Sequence, residues 1–198
     1  MTSANHGKQN PDLPSAGNRE RILSAALHLF TTQGFHATPT AQISREAQVS
    51  TGTLFHYFPD KDTLIDQLYL SIKKELAETL RANDDAFLPV QDRLERYFRA
   101  YIAWGDAHRE KVRFLEQFCN SPNIGDEVKQ EVSQEFEWLP GLLDAAARQG
   151  FLQDKPLMFH YVMANRIING ILALMADGTS GLSREEIIDG GLAMLIQK

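Results

Sequence analysis

Apolar residues recur three and four positions apart along nearly the whole chain, which is the spacing of one face of an α-helix. The first such stripe, from Ile22 to Phe30, predicts a helix that Asn18 caps and Gly34 ends. No run of alternating apolar and polar residues is flanked by hairpin turns, so the chain is predicted to be all-α. Further helices are expected at about 60–83, 90–107, 109–120, 125–150, 156–177 and 183–197, with a kink or division at Pro140 and Gly141.

Two short helices separated by a tight turn are predicted soon after the first helix. Thr38 suits the N-cap of the first of them, and Pro39 suits its first helical position, where a missing N–H costs nothing. Ser50 is the next capping residue and opens a helix over 51–58, after which Asp60 caps the long helix. Two helices joined by a three-residue turn form the helix-turn-helix plan, in which the second helix enters the DNA major groove.

The second short helix has an apolar back and a polar, small-residue front. Leu54 and Phe58, with Phe55 in part, are expected to pack inward. Gly52 costs about 1 kcal/mol inside a helix, and close approach of the backbone to a phosphate or base edge would explain it. The alternative is an ordinary helical hairpin with a polar surface. We predict DNA contacts from Ser50, Thr51, Gly52, Thr53, His56 and Tyr57, with Thr38, Thr40, Tyr57 and Lys61 positioning phosphates.

The segment AQISREAQVSTGTLFHYFPDKDTL resembles the signature of TetR-family transcriptional regulators. The family's turn glycine is Gln48 here, so a side chain is expected in a left-handed backbone conformation or in a reshaped turn. The resemblance covers about the first third of the chain. The matching residues are Ile43, Ala47, Val49, Ser50, Gly52, Thr53, Leu54, Tyr57, Phe58, Lys61 and Leu64, with Phe55 in place of a tyrosine.

The resemblance implies an N-terminal three-helix DNA-binding domain and a C-terminal helical ligand-binding and dimerisation domain. We place a disordered tail at 1–17, the DNA-binding domain at 18–62 and the second domain at 63–198. The segments LFHYFPDKDTLIDQLYLSIK and YIAWG resemble family members that regulate multidrug efflux, which implies drug-like ligands.

Charge alone does not indicate a nucleic-acid partner, because the net charge is −6. Up to Glu75 the chain carries seven Lys and Arg against seven Asp and Glu, so the part that contains the helix-turn-helix segment has no net charge. The remainder of the chain carries the acidic excess. A neutral domain can bind DNA through few phosphates, and its affinity then depends only modestly on salt.

The sequence lacks the motifs that are typical of metal sites, nucleotide-phosphate sites and hydrolase active sites. No zinc-ligand spacing, phosphate loop or nucleophile elbow occurs, so no metal or cofactor is expected. The lone Cys119 fits a reducing cytoplasm, and neither a signal peptide nor a membrane span is expected.

The second domain is rich in aromatic residues, most of which should form a helical core. Some are predicted to line a cavity between helices, as ligand sites in helical bundles do. Asn165 lies on an otherwise apolar helix and needs a partner, which could be a ligand, a water or another side chain. The residues predicted to bind a ligand are Tyr69, Tyr101, Trp104, Phe118, Trp138, Phe159, Val162 and Asn165.

The last two helices are apolar on nearly all sides and contain several small residues. Because a terminal helix is normally half exposed, this pattern predicts burial against a partner chain. TetR-family members dimerise through their last two helices as a four-helix bundle, which implies a homodimer here. A two-fold dimer would place its two DNA-binding domains in successive major grooves, roughly 34–36 Å apart or somewhat more, on a pseudo-palindromic operator.

The leading hypothesis is a homodimeric DNA-binding repressor that a small apolar or amphipathic compound releases from its operator. A helical carrier of small molecules would use the same aromatic interior but would leave the helix-turn-helix pattern unexplained. An all-α enzyme would need Cys119 as nucleophile, or Asp62 and Asp66 as an acid–base pair. A lone cysteine beside a phenylalanine is more often a small core residue, so no enzyme is predicted.

Overall fold

The structure is a computed structural model that describes residues 15–118, 123–178 and 180–197. These residues form α-helices and no strands, so the all-α prediction is confirmed. The expected disordered tail lies almost wholly outside them, but α1 begins at Ser15, so Asn18 lies inside the helix and does not cap it. The helices are α1 Ser15–Gln33, α2 Thr40–Glu46, α3 Thr51–Tyr57, α4 Lys61–Ala82, α5 Val90–Ala107, α6 Arg109–Phe118, α7 Asp126–Glu135, α8 Leu139–Arg148, α9 Leu157–Asp177 and α10 Arg184–Leu195.

The chain divides into two compact units, the first ending at Ile65 and the second beginning at Asp66. Helices α1, α2 and α3 pack on one another in the first unit. Its core contains fully buried side chains from each of these helices, and their burial supplies most of the free energy that holds such short helices in place. These side chains are Ile22, Phe30, Ile43 and Leu54.

The turn between α2 and α3 contains the left-handed residue that the sequence suggested. Gln48 has φ of 54°, and among the described residues it alone combines a side chain with a positive φ. The Val49 N–H donates to the Ser44 carbonyl at 3.0 Å, which closes the turn. Ser50 then caps α3 by accepting the Thr53 N–H at 3.0 Å, as predicted. The side chain of Asp60 caps α4 by accepting the Thr63 N–H at 2.6 Å.

Thr38 does not cap α2. Its side chain is fully buried, and its hydroxyl donates to the Gly34 carbonyl at 2.8 Å and approaches the Leu29 carbonyl at 3.3 Å. The N-cap of α2 is Pro39, one residue later than expected, and it makes no side-chain capping hydrogen bond. Thr38 therefore ties the end of α1 to the loop that leads into α2.

In the second unit, α4 is tied to three other helices by polar contacts. The carboxylate of Glu75 accepts the Trp104 indole N–H of α5 at 3.0 Å and the Lys111 ammonium of α6 at 2.7 Å. Burial alone would raise the pKa of Glu75, but these hydrogen bonds bring it below its ordinary value. Lys74 donates to Glu131 of α7 at 2.7 Å.

The predicted segment 125–150 is two helices in the structure. The chain leaves the helical path at 136–138, and Pro140 occupies the first turn of α8, where its missing N–H is tolerated. The division was therefore predicted correctly, with the break slightly ahead of the proline.

Helices α9 and α10 pack closely on each other. Gly191 makes this possible, because a Cβ at that position would collide with the Ile171 side chain. Ser183 and Glu186 form a reciprocal capping box that fixes the start of α10. Ile168, Ile171, Leu172, Ile187 and Leu192 are buried within the chain.

By length and composition alone helix α9 could cross a membrane, a test that core helices of soluble proteins also pass. An 18-residue window within it has a mean hydropathy of 1.3, and only 17% of that window is buried. Arg166 is exposed in the middle of the helix, where a charge in hydrocarbon would cost about 2.5–3.5 kcal/mol. The helix therefore presents a broad apolar surface interrupted by a charge.

Candidate nucleic-acid interface and ligand pocket

The front of α3 is a surface of small and aromatic side chains. Thr51, Gly52 and His56 are exposed, whereas Thr53 and Tyr57 are half-buried. Leu54 is buried beneath them, as predicted, so α3 is held by its back and presents its front to solvent.

Phe55 lies on this front rather than in the core. Its side chain is 43% exposed, whereas it was expected to pack partly inward. The one-turn spacing from Thr51 places it on the same face as that exposed residue.

Among the described residues of the first unit, none packs so closely on Gly52 that it would exclude a side chain there. A Cβ built there would meet only the Ser50 hydroxyl oxygen, at the ordinary contact distance of 3.8 Å. The glycine instead leaves a flat, bare stretch of backbone on the exposed face of α3. Such a surface suits close approach by another molecule.

Two residues predicted to position phosphates are engaged inside the protein instead. Thr38 is fully buried, so its side chain is not exposed for the DNA contact that the sequence predicted. Lys61 donates to the Phe35 carbonyl, and its ammonium lies 4.2 Å from the centre of the Phe35 ring. Burial lowers the pKa of Lys61 below its ordinary value, with Asp62 acting in the opposite direction. Lys61 therefore stabilises the loop after α1.

The remaining polar residues of this surface are arranged around the α2–α3 turn. The Ser50 and Thr53 hydroxyls share a hydrogen bond of 2.8 Å, so both are oriented. Thr40 is half-buried at the start of α2, and Arg45 is exposed near its end. Arg21 donates to the Gln48 carbonyl at 3.3 Å, which places its guanidinium beside the turn. The surface is thus mainly hydroxyl, aromatic and backbone, with few cations.

The predicted ligand residues do not converge on one site. Tyr101 donates to Asn165 at 2.9 Å, and Asn165 in turn donates to the Tyr161 carbonyl. A side chain is thus the partner that Asn165 required. Phe118 stacks on Phe114 at 4.7 Å between ring centres. Tyr69 is buried, Trp104 is bonded to Glu75, and Val162 is 49% exposed.

A pocket of about 70 Å³ lies where α5, α8, α9 and α10 meet. Of the predicted ligand residues, Phe159 lines it. Trp138 is not part of the lining, although its ring packs edge-on against Tyr97 at 6.1 Å. The other side chains around the pocket are Tyr97, Phe98, Leu143, Leu152, Gln153, His160, Tyr161, Met163, Ala164, Ile167, Met194 and Leu195.

Comparison with known proteins identifies the family to which this surface belongs. The model for bacterial regulatory proteins of the tetR family matches residues 22–68, which include the whole of α2 and α3. The HTH-type transcriptional regulator HbdR of Aromatoleum sp. (strain CIB) is 43% identical over 188 residues, covering 90% of this chain and 79% of HbdR. The chain belongs to the TetR family.

Solved structures agree with this assignment. A protein from Shewanella sp. PV-4, assigned to the tetR family of transcription regulators, is 26% identical and superimposes with a TM-score of 0.76, covering 91% of this chain and 99% of its own. A TetR family transcription regulator from Marinobacter aquaeolei VT8 shares the fold, with a TM-score of 0.81 at 18% identity over 92% of this chain and 97% of its own. The protein is a DNA-binding transcriptional regulator and not an enzyme.

The residues named for an enzyme have other places in this TetR-family chain. Asp66 accepts the Gly125 N–H at 2.9 Å and so joins α4 to the segment before α7. Asp62 is exposed in the first turn of α4. Cys119 lies outside the described residues.

Sequence reasoning missed most of the pocket, and the signal available was weak. His160 and Tyr161 follow the predicted Phe159 directly and are polar side chains in the largely apolar first half of α9. That anomaly alone could have drawn attention to them. Tyr97 carried no such signal, because a tyrosine on an amphipathic helix is commonly a core residue.

Proposed function

We propose that this TetR-family protein is a homodimeric repressor that leaves a pseudo-palindromic operator when a small apolar or amphipathic compound binds its second unit. The observation that carries the DNA-binding role is the front of α3, which is held by its buried back and exposes Thr51, Gly52 and His56. A bare backbone flanked by a hydroxyl and an imidazole suits a groove that presents both phosphates and base edges.

Tyr57 offers the sharpest test of this surface. Tyr57→Ala removes a half-buried ring at the end of α3, whereas Tyr57→Phe keeps the ring and removes only the hydroxyl. If the hydroxyl binds a phosphate or base, both variants should lose about 5- to 150-fold in operator affinity with unchanged helical content. Fluorescence anisotropy with promoter DNA from beside the gene measures this. Unchanged affinity in both variants would remove Tyr57 from the contact surface.

The homodimer is supported by the exposed apolar faces of α9 and α10. Val162 and Leu174 on α9 are 49% and 46% exposed, and Met194 on α10 is 76% exposed. The small residues Gly170 and Gly190 are also exposed and have open space around them, so another chain can approach closely. Covering such a surface with a second copy removes apolar area from water.

A double variant tests the dimer. Ile171 is 3% exposed and packs within the chain, so it is unsuitable for this test. Val162→Asp with Leu174→Asp should yield monomers by sedimentation velocity, because two charges per chain would be buried in the interface. Phe87→Asp is the matched control, since Phe87 is 99% exposed in the α4–α5 loop. A dimer that survives the double change would place the interface elsewhere.

Helix α5 contacts both the pocket and α4, so it can transmit the ligand response from one to the other. Tyr97 and Phe98 line the pocket, and two turns later Trp104 donates to Glu75 of α4. A ligand that displaces α5 would therefore pull on α4, the helix that begins in the DNA-binding unit. A differential affinity of about 1–3 kcal/mol between the two states suffices to change occupancy 5- to 150-fold.

The alternative considered from sequence, a helical carrier without DNA binding, is disfavoured by membership of the TetR family. It would use the same pocket, but it would not account for the exposed front of α3. A gel-shift titration separates the two functions, because a carrier should bind no promoter fragment more tightly than random DNA at low salt. Regulation of multidrug efflux and residence in the cytoplasm stay predictions from sequence; the small pocket favours compact ligands over drug-sized ones.

A further inference from the structure

Helix α9 carries one basic and one acidic side chain on its exposed face. Among its 21 residues, Arg166 is the one lysine or arginine and Asp177 is the one aspartate or glutamate. Both are exposed, and Arg166 makes no hydrogen bond or ion pair with any residue in the described part of the chain. A guanidinium on an apolar face needs an acceptor when that face is covered, because it otherwise loses its hydration without compensation.

The two charged residues are too far apart to pair within one helix. They are separated by eleven positions, which is about 16 Å along the helix axis. Eleven positions are also close to three helical turns, so both side chains lie on the same stripe of α9. Gly170 and Ala173 lie between them on this stripe and are exposed as well. The stripe therefore has a charge at each end and small residues at its centre.

The spacing of this stripe is the same in both directions along α9. Its members are separated by steps of four, three and four positions, so the midpoint between Gly170 and Ala173 is also the midpoint between the two charges. A two-fold axis through that midpoint would set α9 antiparallel to α9 of a second copy and bring Arg166 of each chain opposite Asp177 of the other. A Cβ at Gly170 would have open space around it, so the two helices can approach closely there.

The carboxylates of α10 are less suitable partners for the free guanidinium. Arg99 of α5 donates hydrogen bonds to both Glu185 and Asp189. Glu186 is engaged in the capping box that begins α10. Asp177 lies in the last turn of α9, where its negative charge is opposed by the helix dipole, so a cation from another chain would stabilise it.

We propose that Arg166 and Asp177 form two symmetric ion pairs between the α9 helices of a homodimer, with the two-fold axis between Gly170 and Ala173. The inference rests on the homodimer proposed above and specifies its contact surface. Two such pairs fix the register of the antiparallel helices, because a shift along the axis would separate both pairs at once. They also favour a second copy of this chain over family members that lack the two charges, since an unpaired guanidinium would then be buried in the interface.

Charge reversal in the full-length protein tests the pairing. Arg166→Asp would place two carboxylates opposite each other, and Asp177→Arg would place two guanidinium groups opposite each other. Each single variant should weaken the dimer at least about tenfold in sedimentation equilibrium, whereas the double variant should restore wild-type affinity. Arg113→Asp is the matched control, because it reverses an exposed arginine on α6 and should leave the dimer unchanged.

Mixing the two single variants gives a second readout that applies even where each variant still dimerises. Their heterodimer contains one reversed pair and one native pair, whereas each homodimer contains two pairs of like charge. Native mass spectrometry should therefore show heterodimer in excess of the roughly half that random exchange of subunits gives in a symmetric dimer. A mixture of wild type with Arg113→Asp should give the random proportion.

The outcomes separate this inference from the proposed function. A wild-type protein that is a monomer contradicts the proposed homodimer, and the inference fails with it. A wild-type dimer that the single reversals leave unchanged, that the double variant does not restore, or that mixes at random overturns the pairing of Arg166 with Asp177 and leaves the homodimer standing. Weakening by each single reversal, restoration by the double variant and excess heterodimer support it, with unchanged circular dichroism showing that the fold is intact.

Discussion

Replacing Gln48 by glycine should stabilise the DNA-binding unit. Gln48 has φ of 54° in the turn between α2 and α3, a conformation that costs an L-residue about 1–2 kcal/mol. Its side chain is exposed, and the turn is closed by backbone hydrogen bonds that glycine retains. Glycine also raises the entropy of the unfolded chain, which offsets about 0.4–1 kcal/mol. The net gain should be about 0.5–1 kcal/mol.

Hydrogen exchange at the Val49 amide reports this gain locally, because that N–H closes the turn on the Ser44 carbonyl. Exchange in Gln48→Gly should slow about two- to fivefold in the full-length protein. Gln48→Ala is the matched control, since alanine keeps the Cβ that causes the strain and should give no slowing. Equal slowing in both variants, or faster exchange in Gln48→Gly, would refute the reasoning.

Three other changes have defined outcomes. Thr38→Val removes the buried hydroxyl that bonds the Gly34 carbonyl and should cost about 1–1.5 kcal/mol in urea unfolding while operator affinity stays unchanged. Asp84→Asn breaks the two-pronged pair with Arg93, whose hydrogen bonds hold the pKa of Asp84 below its ordinary value. The pair should stabilise the fold by about 1 kcal/mol at neutral pH, and the difference from wild type in urea unfolding should begin to shrink as pH falls below about 4 and vanish once the pH is below the lowered pKa. Trp104→Phe removes the hydrogen bond to Glu75 and should leave operator affinity intact while reducing ligand-induced release several-fold in a gel shift.

The helices were predictable because their signals are local. The observed bounds of α5 coincide with the expected 90–107, since the periodic stripe begins after a proline and ends where it meets polar residues. Ser50 was recognised as a cap for the same reason. Thr38 has the same capping chemistry in sequence, but contacts with the end of α1 bury it, and no local pattern reports such a contact.

The pocket was much less predictable. An aromatic side chain that fills a core and one that lines a cavity have the same composition and the same helical spacing, so Phe118 and Phe159 were indistinguishable. Their difference arises from how the helices meet around the pocket. Val162 shows the same difficulty, because an apolar residue on a helix can face a ligand, a core or a partner chain.

Hydroxyl-radical footprinting of the full-length protein on the promoter beside its gene tests the central claim most directly. The account predicts two protected patches related by two-fold symmetry, with centres about one helical turn or somewhat more apart. Protection should depend on the half-buried Tyr57 and on the exposed residues Thr51, Gly52 and His56 of α3. A footprint that is absent, or no stronger than on random DNA at low salt, would contradict the reading of α3 as the DNA-recognition helix.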